Sequence, residues 1–167
     1  KRHKEYRQVF RKLYKDAKQL PKDSLIYVAG DIVHTKTDIS PELVELTSEF
    51  FRKLADIRPT IVITGNHDAN LNNSSRLDAL SPIIDNLNHP NLHYLKDSGI
   101  YRVCNIDFIV MSVFDDPKDF PDARKATGIK IGLHHGPVHN SVTDIGYVVN
   151  NESLKQSVFT GCDLVML

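Results

Sequence analysis

The sequence predicts an α/β fold in layers, mostly parallel in its first half with an antiparallel addition later. Three observations predict it. Short apolar runs alternate with segments of helical periodicity, as strands and helices do in layered folds. The runs at 24–29 (SLIYVA) and 60–64 (TIVIT) are almost continuously apolar, which suits strands covered on both faces. Later runs at 100–103 and 108–113 are close enough to pair as a hairpin.

The elements follow in order. Over 4–20, Tyr6, Val9, Phe10, Leu13, Tyr14, Ala17 and Leu20 recur at helical spacing, and Pro21 stops the helix. After the strand at 24–29, a second helix is predicted over 41–57. Ser40 is its N-cap, Pro41 sits in the first turn, and Leu43, Leu46, Phe50 and Leu54 form its apolar stripe. The strand at 60–64 leads to a polar loop at 70–75. A helix over about 76–87 is expected next, interrupted near Ser81 and Pro82. A short strand at 92–95 precedes the hairpin, whose turn across 104–107 has no definite type from sequence. A polar, proline-bearing loop at 117–127, a strand at 129–133 running into His134, a short helix at 152–158 and a strand at 163–167 complete the chain.

A length of 167 residues suits one domain with a real core. Charged residues make up 25% of the chain, yet the formal net charge is zero, so the overall balance gives no argument for nucleic acid or membrane. The first 22 residues nonetheless hold nine Lys or Arg against Glu5 and Asp16. That excess is either a solvated helix face or a surface that steers a polyanion. Cys104 and Cys162 are too few for a disulfide framework or a zinc knuckle. Both sit in apolar surroundings and are expected to be buried thiols in a reducing compartment. The cytoplasm is expected, or the nucleus or a viral factory for a eukaryotic or viral source. No apolar run approaches the roughly 20 residues of a membrane helix, and no signal peptide is visible. A start at Lys1 and an end inside an apolar run at Leu167 are what a fragment is expected to show.

In open α/β sheets, functional groups gather beyond the carboxyl ends of strands. That rule selects three loops. The first reads Gly30-Asp31-Ile32-Val33-His34, the second Gly65-Asn66-His67-Asp68, and the third runs from His134 and His135 to His139. Glycine allows a sharp exit from each of the first two strands. Together the loops offer a carboxylate, an amide oxygen and several imidazoles, a donor set suited to Mn²⁺, Fe²⁺ or Zn²⁺ rather than Ca²⁺. Each piece has an ordinary reading too. Gly-Asp after a strand is usually a turn, His34 could be a surface residue, and a pair of loop histidines is often inert. Asn-His-Asp directly after TIVITG has no evident packing purpose, and the three loops converge if their strands are neighbours.

The order Gly-Asp, then Gly-Asn-His-Asp, then a histidine after an apolar strand resembles the calcineurin-like metallophosphoesterases over essentially the whole chain. The resemblance implies a sandwich of two mixed β-sheets flanked by helices, with two divalent metal ions at the strand ends, Mn²⁺ first and Fe²⁺, Zn²⁺ or Mg²⁺ as alternatives. It implies that Asp31 bridges the metals, that Asn66 ligates one of them, and that His134 ligates the same one, with His135 as runner-up. His67 would be the general acid or transition-state stabiliser, and Asp68 would orient His67 or its loop. The family's opening Asp-x-His and closing Gly-His-x-His segments have no match here, so a domain over 1–167 without its first strand and last ligand motif is expected. Such a fragment is expected to have little activity.

Gly-Asp-x-x-His at 30–34, the segment Arg76-Leu77-Asp78-Ala79-Leu80-Ser81-Pro82 and His134-His135-Gly136 are similar to the SbcD-type repair nucleases and to phage and large-virus recombination nucleases. That narrower resemblance places His34 near the phosphate, makes DNA the expected substrate and implies an SbcC-type ATPase partner. A phosphomonoesterase on the same fold and a non-catalytic scaffold are the competing expectations.

Overall fold

The structure is a computed structural model that describes residues 2–34, 39–69, 77–151 and 154–167. Seven strands form two sheets. The first contains β1 (Ile26–Val28), β2 (Thr60–Ile63) and β3 (Leu92–Leu95), all parallel and in the order β1-β2-β3. The second contains β4 (Gly99–Val103), β5 (Ile106–Met111), β6 (Ile129–His134) and β7 (Leu164–Met166), in the order β4-β5-β6-β7. Only β4 and β5 pair antiparallel; β6 and β7 extend that sheet in parallel. The predicted antiparallel addition is therefore a single hairpin.

Side-chain alternation explains why the central strands look uniformly apolar. Ile61 and Ile63 of β2 pack with Phe108 and Val110 of β5 and Leu133 of β6, forming the core between the sheets. Val62, one residue out of phase, joins Phe51, Ala55, Leu80 and Ile84 under the helices. Ile109 and Met111 face the opposite outer layer with Ala123, Val138 and Leu154. Successive side chains point to opposite faces, and here both faces are covered.

Helix α1 (Arg2–Lys18) packs on α2 (Pro41–Ile57) through Phe10 and Phe50, whose ring centroids lie 4.5 Å apart. Arg7 pairs with Glu45 and Glu49 across the same seam, so this basic residue faces α2. Val9 stays 63% exposed, so the apolar row of α1 is wider than its contact. The Ser40 side chain accepts from Leu43 N–H at 3.2 Å, as the N-cap reading expected.

Three expectations are corrected. Helix α3 spans only Ser81–Leu87, so Ser81 and Pro82 begin it rather than interrupt it. Proline lacks an N–H and is accommodated in a first turn, and the Asp78 carboxylate, accepting from Leu80 N–H and Ser81 N–H, closes the helix before it can extend backward. Residue 76 lies outside the described residues. The helix expected at 152–158 is a 3₁₀ turn, Gln156–Phe159, with 152 and 153 also outside the described residues. Cys104 is exposed, because it forms a two-residue hairpin turn with Asn105; their φ values of 49° and 63° are those of a type I′ turn. Cys162 is half-buried, and burial pushes its thiol up. Among the described residues no helix is long and apolar enough to cross a membrane.

Candidate metal centre

The loops after β1 and β2 meet backbone to backbone. Gly30 has φ 89°, and a Cβ on it would lie 2.4 Å from Gly65 N; a Cβ on Gly65 would lie 2.2 Å from Asp31 N. Glycine is the residue that fits either place. This contact brings Asp31, itself at φ 55°, against the residues that follow Gly65. Asp31 Oδ1 accepts from His67 N–H at 3.0 Å.

The third strand end supplies His135. Its Nδ1 donates to Ala29 O at 2.6 Å, crossing from the second sheet to the first. Its Nε2 lies 3.0 Å from Asn66 Oδ1 and 3.2 Å from Asp31 Oδ2. A carboxylate oxygen and an amide oxygen thus both approach one imidazole nitrogen. His134 is placed differently. It is buried, its Nδ1 donates to Met111 O at 2.7 Å, and its ring packs against Phe120 at 6.2 Å. Burial lowers its pKa, opposed by the Met111 carbonyl and assisted by neighbouring His135. The structure therefore brings His135, and not the first-ranked His134, into contact with Asp31 and Asn66. Alternation along β6 accounts for the difference: Leu133 packs between the sheets, His134 faces the outer layer, and the backbone turns at His135.

Asp68 is fully buried behind this cluster. One oxygen accepts from Val33 N–H and the other from Gly65 N–H, both at 3.0 Å, so a single carboxylate ties the loop after β1 to the loop after β2. Burial pushes its carboxyl up, against the N–H groups that hydrogen-bond it, and the charge of Asp31 adds to the rise. Asp68 ties the two loops together through their backbone N–H groups.

Sequence reasoning missed a second carboxylate. Asp78 accepts from Leu80 N–H, Ser81 N–H, the Ser81 hydroxyl and Tyr94 OH, and it pairs with Lys96 at 2.9 Å. Burial alone would raise its pKa, but these donors outweigh it and hold the carboxyl below the usual range. Tyr94 OH also meets Thr64 Oγ1 at 2.7 Å, and Ala79 N–H donates to Asp68 O at 3.0 Å, so the network braces the 64–68 loop from behind. An Asp two and three residues before Leu80 and Ser81-Pro82 is a capping signal that could have located it.

His34 and His67 lie beside the cluster with their rings stacked at 5.2 Å and 24°. They line a cleft of about 650 Å³ that continues between α1 and α2.

The donors fit a divalent cation. Ligands at about 2.1 Å from an ion and at right angles to one another lie about 3.0 Å apart, close to the separations of His135 Nε2 from Asn66 and Asp31. The Ala29 carbonyl fixes the tautomer that leaves Nε2 free to coordinate. Among the described residues no three His, Cys, Asp or Glu side chains converge on a metal-sized site; beside His135 and Asp31 the further oxygen donor is the amide of Asn66.

A two-sheet α/β sandwich with such donors at its strand ends is an arrangement suited to metal-dependent hydrolysis. More particularly, the chain matches the calcineurin-like phosphoesterase family over residues 3–166 and belongs to that family. Members usually bind two divalent metal ions and hydrolyse phosphate esters. The chain is 49% identical, over 180 aligned residues, to an uncharacterized protein of Acanthamoeba polyphaga mimivirus. The match covers 99% of this chain and 13% of that protein.

Proposed function

We propose that the chain is the catalytic region of a metal-dependent nuclease that hydrolyses DNA phosphodiesters. The observation that carries this is the convergence of Asp31, Asn66 and His135 next to the His34–His67 pair. The ligand role expected of His134 is assigned to His135 on that geometry. Asp31, Asn66 and His135 would hold one divalent ion, with Asp31 free to share a second; Mn²⁺ is the proposed metal ahead of Fe²⁺, Zn²⁺ or Mg²⁺. Bound ions supply Lewis acidity, which makes the attacking water acidic near neutral pH and offsets the charge of the phosphoryl oxygens.

The chain's own residues do the rest. As the P–O bond to the sugar breaks, the His67 ring delivers a proton to the leaving oxygen or stabilises its charge. The His67 backbone is anchored by Asp31 and its ring plane by His34, so the imidazole is positioned from both sides. His34, exposed at the cleft, is placed to meet a non-bridging phosphate oxygen. The Gly-Asp-x-x-His spacing supports a DNA substrate over a small phosphomonoester. An SbcC-type ATPase partner belongs to the same proposal.

The test is hydrolysis by the protein at its full natural length, supplied with Mn²⁺. Bis-p-nitrophenyl phosphate and single-stranded DNA should be cleaved in preference to p-nitrophenyl phosphate. A strong preference for the monoester sinks the nuclease reading, and no hydrolysis of any substrate by metal-loaded protein supports a non-catalytic scaffold. His67→Ala should abolish turnover while metal binding persists; loss of metal would make His67 a ligand.

A further inference from the structure

The cleft beside His34 and His67 has a far half that hydrolysis does not use. Its wall there is aromatic: Tyr6 and Phe10 from α1 and Phe50 from α2 line it. Tyr6 and Phe10 stack at 6.1 Å and 29°, and the Tyr6 ring remains half exposed. Thr47 also lines it.

We infer that this cleft takes the base of the nucleotide whose phosphate meets the metal centre, so that the substrate presents an unpaired or terminal nucleotide. The inference rests on the nuclease reading. Three observations carry it. The cleft is continuous with the centre, since Asp31, His34 and His67 line its near end. Its volume of about 650 Å³ lies within the roughly 300–1,000 Å³ of small-molecule sites. Flat aromatic side chains recognise bases by stacking. A base in a duplex is already stacked and paired, so entry between α1 and α2 requires extrusion, which is easiest at ends and single strands.

Calorimetric titration of the Mn²⁺-loaded, full-length protein with four probes tests this. Thymidine 5′-monophosphate should bind about tenfold tighter than 2-deoxyribose 5-phosphate, and tighter than phenyl phosphate or inorganic phosphate. Tyr6→Ala, on an exposed helix face, should shrink the tenfold ratio. Equal affinity with and without the base overturns the proposal. So does phenyl phosphate binding as tightly as the nucleotide. If oligonucleotides are cleaved while the base adds no affinity, the cleft proposal alone fails. If no oligonucleotide is cleaved, the nuclease reading fails and takes this one with it.

Discussion

The loops after β1 and β2 are bound to each other by backbone packing at Gly30 and Gly65 and by Asp68, which accepts N–H groups from both. The loop after β6 reaches them through the imidazole of His135, set between Ala29, Asn66 and Asp31. The first sheet thus offers a braced half of the centre, held by backbone packing and the Asp68 carboxylate. The second sheet offers a half whose position depends on one ring. Past His135 that loop runs into a turn where Ile145 is 87% exposed and Val142 bridges Val148. The contrast separates two kinds of substitution: changes in the braced half should cost fold stability, and changes in the other should cost metal affinity.

Asp68→Ala should have the largest effect. It strands two buried N–H groups, at about 1–3 kcal/mol each, so urea unfolding should show a loss of about 2–6 kcal/mol. An unchanged midpoint would mean that the two loops are held by something else. The same carboxylate gives a pH signature in metal-free protein. Its folded pKa is raised by burial, so its contribution to stability is fully present below the unfolded value and is lost as pH rises through the folded one. Wild type should therefore gain stability relative to Asp68→Asn as pH falls from 7 toward 4. Asp78, whose pKa is lowered, has the opposite sign: its contribution is present above the unfolded value and fades as pH falls through the folded one, so Asp78→Asn should cost most near neutrality.

Gly65→Ala comes next. A Cβ placed 2.2 Å from Asp31 N must push the loops apart, at about 1–3 kcal/mol by the usual cost of overpacking. Mn²⁺ affinity should fall with it, because Asp31 and Asn66 move. Retained affinity would show that the backbone contact does not set the site.

His135→Ala sharpens the other side. Fold stability should change little, while Mn²⁺ affinity measured by calorimetry should fall by more than the roughly 10–100-fold typical of residues outside the ligand set. His134→Ala should reverse the pattern, destabilising the packing against Phe120 with a smaller loss of affinity. Equal losses of affinity would mean that both histidines coordinate.

The smallest effect lies at the end of the second sheet away from the centre. Cys104→Asn places a residue suited to positive φ in the type I′ turn and should stabilise the fold by about 0.5 kcal/mol, within the range of turn optimisations. Mn²⁺ affinity should stay as it was. A change in affinity would couple the hairpin to the centre and blur the contrast between the two halves.

Much of this arrangement was legible in the sequence because it is local. Strands β2 and β6 declare themselves as apolar runs, and polar groups at their ends follow the strand-end rule. The choice between His134 and His135 was not legible, because it depends on where β6 stops alternating, and a one-residue shift reverses the facing of each side chain. Asp78 was equally hidden. Its partners Tyr94 and Lys96 belong to β3 and the residues after it, and only the parallel register of Ile63 with Leu95 brings them near the 64–68 loop. The aromatic cleft escaped for the same reason, since Phe10 and Phe50 read as two separate core stripes until α1 and α2 are laid side by side.

The back-to-back glycines have a consequence for comparing relatives. Neither Gly30 nor Gly65 can acquire a side chain without displacing the other's loop. Both should stay glycine in any descendant that keeps the sandwich, whether or not it still cleaves anything. Their persistence records clearance between two chains of backbone. Under the proposed function, the record of chemistry lies at His34 and His67, where no fold constraint on the rings holds a lineage back once turnover stops mattering.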